Sequence, residues 1–263
     1  MTFQPVVPFS GPTGWSFLQR TRETQQEAFQ QSAVIKRNTD AFRERIGKIG
    51  SAEELVKDRQ LLEVALGAFG LDEDINNKFL IEKMLTSDTT SKTSMTSRFA
   101  DKRYETFSKA FGFGDPFGPK IGEKGFADRI VDAYNERQFE IAVGQESTDM
   151  RLAMGMSRDL EEITSKKGSA DGAWFSVMAN TPLRTVMETA LGLPKSVGML
   201  DLDQQLNQFR DRAQRVFGVS EVADFADPEL QDKMRELYLI RAQMENGSGG
   251  NSPASIALSL LSS

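Results

Sequence analysis

The run Asp72-Glu73-Asp74-Ile75-Asn76 opens like a calcium-binding loop, whose D-x-D-x-N spacing aims side-chain oxygens at one ion. Such a loop also needs glycine at its sixth position for the sharp turn and a bidentate glutamate at its twelfth. Asn77 and Lys83 stand there, so the chelate is incomplete. The acids fit better at the N-terminus of a helix, where the macrodipole favours negative charge. Glu136 and Glu140 lie one helical turn apart. Paired carboxylates can do acid–base work when burial separates their pKa values, but Arg137 and the surrounding charges predict a solvated face. Asp101, Lys102 and Arg103, beside Tyr104, read the same way. The stretch Gly112–Gly125 holds five glycines and two prolines. It contains neither a P-loop motif nor a strand-borne G-x-G-x-x-G, the usual phosphate cradles, and is expected to be an ordered loop pinned by Phe113 and Phe117.

The larger exclusions come from residues the chain lacks. It has neither histidine nor cysteine. Ser-His-Asp and Cys-His catalysis, thiolate metal centres and H-E-x-x-H zinc sites all require one or the other. No serine sits in a G-x-S-x-G elbow. No catalytic residue, cofactor or metal ligand is therefore assigned, and a non-enzymatic role is expected. The net charge of −6 disfavours sequence-independent binding to nucleic acid, which needs a basic surface. No run of apolar residues is long enough for membrane insertion. Residues Met1 to Leu18 lack the basic and apolar regions of a cleaved signal peptide. The expected location is the cytoplasm, or outside it by a route without such a signal.

Helices must position whatever the chain does, because beta-branched alternation is scarce and helical periodicity is widespread. The fold class is all-α: a multi-helix bundle of two halves with a long N-terminal helix. Residues 1–14 read as an irregular arm and 15–113 as the N-terminal helical half. Residues 114–125 form the Gly/Pro loop, 126–245 the C-terminal half and 246–263 a flexible tail. Heptad spacing from Trp15 to Ile49 predicts one continuous helix, apolar at its ends and polar in the middle. Leu18, Ile35, Phe42 and Ile46 on that stripe are candidate partner-binding residues, as are Ile256, Leu258, Leu260 and Leu261 in the tail. An ordinary half-buried stripe is the plainer alternative for the helix.

Local signals mark the later elements. Ser51-Ala52-Glu53-Glu54 is a capping box, with a break expected near Asp58 before a helix that ends at Gly70. Asp72 is expected to cap the next helix, with Ile75, Phe79, Leu80 and Leu85 facing inward. One helix is expected from Met95 to Phe111, and another from Phe126 to Thr164 that Gly144 and Gly155 kink. Thr181-Pro182 starts a helix that Gly192 closes. Asp201 to Phe217 is amphipathic through Leu202 and Leu206, and Asp227-Pro228 starts the last helix.

The segment Leu61–Leu71 overlays Leu183–Leu193 at an offset of 122, since 183 − 61 = 122, with Leu61, Val64, Ala68, Gly70 and Leu71 matching Leu183, Val186, Ala190, Gly192 and Leu193. Two accounts remain open. Either the halves are a duplication, or both helices end in the common way, with a C′ glycine followed by an apolar residue.

Two stretches carry a family resemblance. One is Asp58-Arg59-Gln60-Leu61-Leu62 running into Ala65–Leu71. The other is Lys83–Asp88 followed by Phe99–Tyr104, Phe107 and Ala110-Phe111. Together they resemble an alphaproteobacterial family of helical proteins of unknown function often encoded among flagellar genes. The resemblance carries over no catalytic residue. It implies a flagellum-associated assembly component or chaperone, with protein partners that include flagellar components or a second copy of the chain. A small-molecule-binding helical regulator, with a pocket near Trp174 and Phe175, is the alternative.

Overall fold

The computed structural model describes residues 3–166 and 168–247. Among them the fold is all-α, with thirteen α-helices, short 3-10 turns and no strand. The chain divides into two compact units. Among the described residues, one is 3–5 with Arg22–Ala142, and the other is Val6–Thr21 with those from Val143 on. The division falls within α1 (Gly11–Gln30) and within α8 (Phe126–Glu146), not at the loop Gly112–Gly125. The tail residues Ile256, Leu258, Leu260 and Leu261 lie outside the described residues.

The expected long N-terminal helix is two helices. It starts at Gly11, inside the supposed irregular arm, and breaks at Gln31-Ser32 before α2 (Ala33–Arg45). Ser32 is extended, with φ −63° and ψ 144°. The polar middle of the heptad stripe marks this break, because serine favours helix starts over helix interiors. The second long pattern breaks the same way. Ser147 is extended and its hydroxyl accepts from Met150 N at 3.4 Å, opening α9 (Thr148–Thr164). Gly144 and Gly155, the expected kinks, both lie inside helices.

In the first unit, α2 packs on α4 (Arg59–Gly67). Helix α3 (Ala52–Lys57) packs on α4 and on α5 (Lys78–Leu85), and α5 packs on α7 (Arg103–Phe111). Ser51 Oγ accepts from Glu54 N at 3.2 Å, while Glu54 reaches back to Gly50 N at 2.7 Å, one residue beyond the usual capping box. The expected Met95–Phe111 helix is interrupted over residues 99–102, leaving a single turn, α6 (Met95–Arg98), before α7. Asp72 does not cap a helix. It begins a 3-10 turn, and α5 starts only after Asn77. Phe79 consequently points outward, 76% exposed, against expectation.

The second unit is built on α9, α11 (Thr181–Leu191) and α13 (Pro228–Gly247), which pack mutually. Helix α10 (Ala170–Ala179) lies against α9, α11 and α12 (Leu202–Phe217). Arg235, nearly buried on α13, donates to Ala153 O at 3.3 Å and Ser157 Oγ at 2.7 Å, and its guanidinium lies 5.1 Å from the Trp15 ring centre. An ion pair with Asp232 answers its charge, and the other contacts satisfy donors that burial would otherwise penalise.

The local match between the halves is wider in structure than in sequence. Asp58 ends α3 and caps α4, accepting from Gln60 N and Leu61 N at 3.1 Å. Asn180 ends α10 and caps α11, accepting from Leu183 N at 3.0 Å. Their backbones are nearly identical, −86°/98° and −85°/98°, and 180 − 58 gives the same offset of 122. At the other end, Gly70 and Gly192 take φ +70° and +65°. Leu71 N bonds Leu66 O at 3.0 Å and Leu193 N bonds Glu188 O at 2.9 Å, the 6→1 bond of a Schellman cap. An arginine then caps each glycine carbonyl: Arg103 on Gly70, and Arg212 on Gly192.

All three tyrosines are buried. Burial pushes the Tyr134 phenol up to about 12. Tyr104 and Tyr238 are raised by burial first, then by Asp74 and Asp149 respectively. A raised folded-state pKa contributes stability below the unfolded value of about 10 and loses it as pH climbs toward the folded one. In a spectrophotometric titration, tyrosinate absorbance should therefore stay low in the native protein at about pH 10 and rise only as the chain unfolds. An ordinary titration curve in folded protein would contradict this burial.

Candidate functional site

The residues flagged for chemistry are occupied by intramolecular bonds. Asp72 Oδ1 accepts from Gln138 Nε2 at 2.5 Å, and Asp74 Oδ1 from Asn77 Nδ2 at 2.9 Å. Among the described residues no three carboxylates gather as a metal-holding group. Glu136 pairs with Arg22 at 3.3 Å. Glu140 departs from the expected solvated face, at only 5% exposed. It lies on the same helix as Glu136, and adjacent turns of α8 thus carry one exposed and one buried carboxylate.

The helical stripe proposed for partner binding is core. Leu18, Ile35, Phe42 and Ile46 are all buried within the chain. Phe42 is fully enclosed on α2, which lies on α4. A partner could reach these side chains only by opening the fold. The heptad spacing accompanies burial of these side chains within the chain.

Trp174 is likewise committed. Its indole is fully buried, donates from Nε1 to Ser220 O at 2.9 Å and tilts against Phe209 with ring centres 5.8 Å apart. A pocket at this residue is replaced by packed side chains.

Apolar surface is presented elsewhere. A 3-10 turn, Lys195–Met199, follows α11 and leads into α12. It displays Met199 at 85% and Leu202 at 61% exposure, with Leu200 between them also exposed. Leu202 had been expected to face inward; it sits on the first turn of α12, outside the buried stripe of Leu206, Phe209 and Ala213. The turn is held from below. Val197 is buried, and Leu200 N bonds Val197 O at 3.1 Å. Gln205, 5% exposed, donates to Leu200 O at 2.7 Å and accepts from Arg184 Nη2 at 2.8 Å. Arg184 is fixed in turn by Glu188 at 2.6 Å. Three large apolar side chains are thus presented on a backbone that is already ordered, so binding through them would cost little further conformational entropy. The corresponding place in the first unit, the helix start after the 3-10 turn Asp72–Asp74, presents Phe79.

No described helix is long and apolar enough to cross a membrane. No curated protein matches the chain. Among solved structures, the chain is similar to a protein from Agrobacterium tumefaciens determined by X-ray crystallography, at 23% sequence identity and a TM-score of 0.72, with 92% of this chain and 99% of that chain covered. At that identity the likeness establishes the fold. The profile of a family described as a protein of unknown function, DUF1217, matches residues 68–230, which span both glycine-capped helix ends and the Met199 turn, and the chain belongs to that family.

Proposed function

We propose that this chain is a non-enzymatic interaction protein that docks partners through the apolar turn Met199–Leu202. The observation that carries the reading is the combination of exposure and order there. Exposed apolar side chains mark contact sites when they are contiguous. Methionine is enriched at protein interfaces, and a preordered backbone lowers the entropy cost of docking. The absence of histidine and cysteine from the sequence and the engagement of the flagged carboxylates are consistent with a role outside catalysis. The resemblance to a family often encoded among flagellar genes supports reading the partner as a flagellar component, with this chain as an assembly component or chaperone.

The test replaces Met199 and Leu202 with aspartate together. Both side chains are exposed, so the thermal midpoint should change little. Affinity capture from the native cell is then compared for the two forms, alongside their masses in solution. The reading expects at least one flagellar protein retained by the natural chain and lost by the variant. Identical capture and identical mass would overturn it, and a loss of self-association alone would make a second copy the partner.

A further inference from the structure

The chain has no cysteine, so its eleven methionines hold all of its sulfur. No thiol competes for an oxidant, and the susceptibility of each thioether follows its exposure. The fold sorts them into two groups. Among the described residues, Met84, Met150, Met187 and Met234 are fully enclosed, and Met154, Met156 and Met178 are no more than 7% exposed. Three face solvent: Met95 at 44%, Met244 at 68% and Met199 at 85%.

Met199 is the most exposed of the three, and it alone belongs to the apolar turn. It ends the 3-10 turn Lys195–Met199, with exposed Leu200 next in sequence and exposed Leu202 just beyond. The backbone beneath is fixed by Leu200 N on Val197 O and by Gln205 on Leu200 O. Gly198 backs onto Arg184, where an added Cβ would come 3.4 Å from Nη2. The turn therefore cannot carry the thioether inward without breaking those contacts.

We propose that Met199 is an oxidation site, and that its sulfoxide erases the apolar face of the turn Met199–Leu202. The oxidant is a hydroperoxide. A lone pair on Met199 Sδ attacks one peroxide oxygen, and the S–O bond forms as the O–O bond breaks. The departing hydroxide takes the proton of the transferred hydroxyl and leaves as water. Sulfur loses two electrons and the peroxide gains them. The product sets a polar, chiral S=O on the turn, in place of the flexible apolar contact that methionine makes at binding surfaces. The enclosed methionines are spared, so the core stays intact. Sulfoxide reductases reverse the change. Its consequence for partners rests on the docking reading above; the oxidation and the lost apolar surface do not.

The full chain is treated with graded hydrogen peroxide and quenched with free methionine. Peptide mass spectrometry should find Met199 oxidised at least about tenfold faster than the four enclosed methionines. Hydrophobic-interaction chromatography is run on a Met95→Leu/Met244→Leu form, which leaves Met199 as the exposed thioether among the described residues. This form should elute earlier after peroxide, and adding Met199→Leu should abolish the shift. Met199→Gln, polar and of similar length, should elute early without peroxide. Thermal midpoints should be unchanged throughout, the mark of an intact core. Equal oxidation of Met199 and the enclosed methionines, an elution shift that persists with Met199→Leu, or a fall in the midpoint on mild oxidation would overturn the proposal. In affinity capture, the oxidised natural chain should lose the partner that the double aspartate variant loses, and sulfoxide reductases should restore it. Retention of that partner after oxidation would also overturn the proposal. If the aspartate variant itself captures as the natural chain does, the docking reading falls, and the mass spectra and elution still decide the oxidation.

Discussion

Replacing Trp174 with alanine is expected to lower stability by about 3–5 kcal/mol, the range for removing a fully buried large aromatic. The indole is fully enclosed where α10 meets α12, and its ring tilts against Phe209. Two losses combine. The first is apolar burial together with the cavity left behind, which helices fixed by their own caps cannot fully collapse. The second is the bond from Nε1 to Ser220 O, which leaves that carbonyl without this donor. The Trp174→Phe variant separates the two, since it keeps a ring and loses the N–H, and its loss should be the smaller. Urea unfolding followed by circular dichroism measures both. A loss under about 1 kcal/mol for Trp174→Ala would be too small for a core residue and would refute the packing described for α10 and α12.

An effect of similar size is expected in the first unit for Phe111→Ala. Phe111 ends α7 and is fully buried. Its ring centre lies 5.1 Å from Phe107, 5.3 Å from Phe126, 6.0 Å from Phe113 and 6.4 Å from Phe69. Truncation forfeits the burial, about 3–5 kcal/mol, and part of that figure is edge and face pairing, worth about 0.5–1.5 kcal/mol per pair beyond area. Phe113 lies within the Gly112–Gly125 loop and Phe126 follows it, so the loss should extend to the loop itself. Amide exchange should therefore quicken at Gly114, Asp115, Phe117 and Gly118 in the variant as well as across α7. Unchanged exchange there would mean the loop is held by the hydrogen bonds of Asp115 with Thr89 alone. The conservative Phe111→Leu variant should lose less, because most of the volume remains.

The candidate sites were less legible than the fold, and particular residues show why. Phe79 and Leu202 each fall in helical register with apolar neighbours, a pattern that predicts burial. Both are exposed because each stands at the start of its helix, before that helix meets another. For Leu18, Ile35, Phe42 and Ile46 the period marks one apolar face but not what covers it, and the fold buries all four within the chain. Glu140 looked solvated among charges and is buried. The Phe117 loop was recognised as ordered, yet nothing local announced that Asp115 would reach across to Thr89.

What the amino-acid order determined alone is the helical class and most helix ends. Ser51, Asp58, Gly70, Thr181-Pro182, Gly192 and Gly218 mark breaks where the backbone has them. A cap is satisfied by groups within a few residues, and its cause is therefore written in adjacent letters. Tertiary structure alone decided which side chains are covered, which acids find hydrogen-bond donors and which apolar turn is left facing solvent. Those outcomes depend on partners tens of residues away, such as Gln138 for Asp72 or Ser220 for Trp174. Burial is a property of what packs above a residue, and no local pattern carries that information.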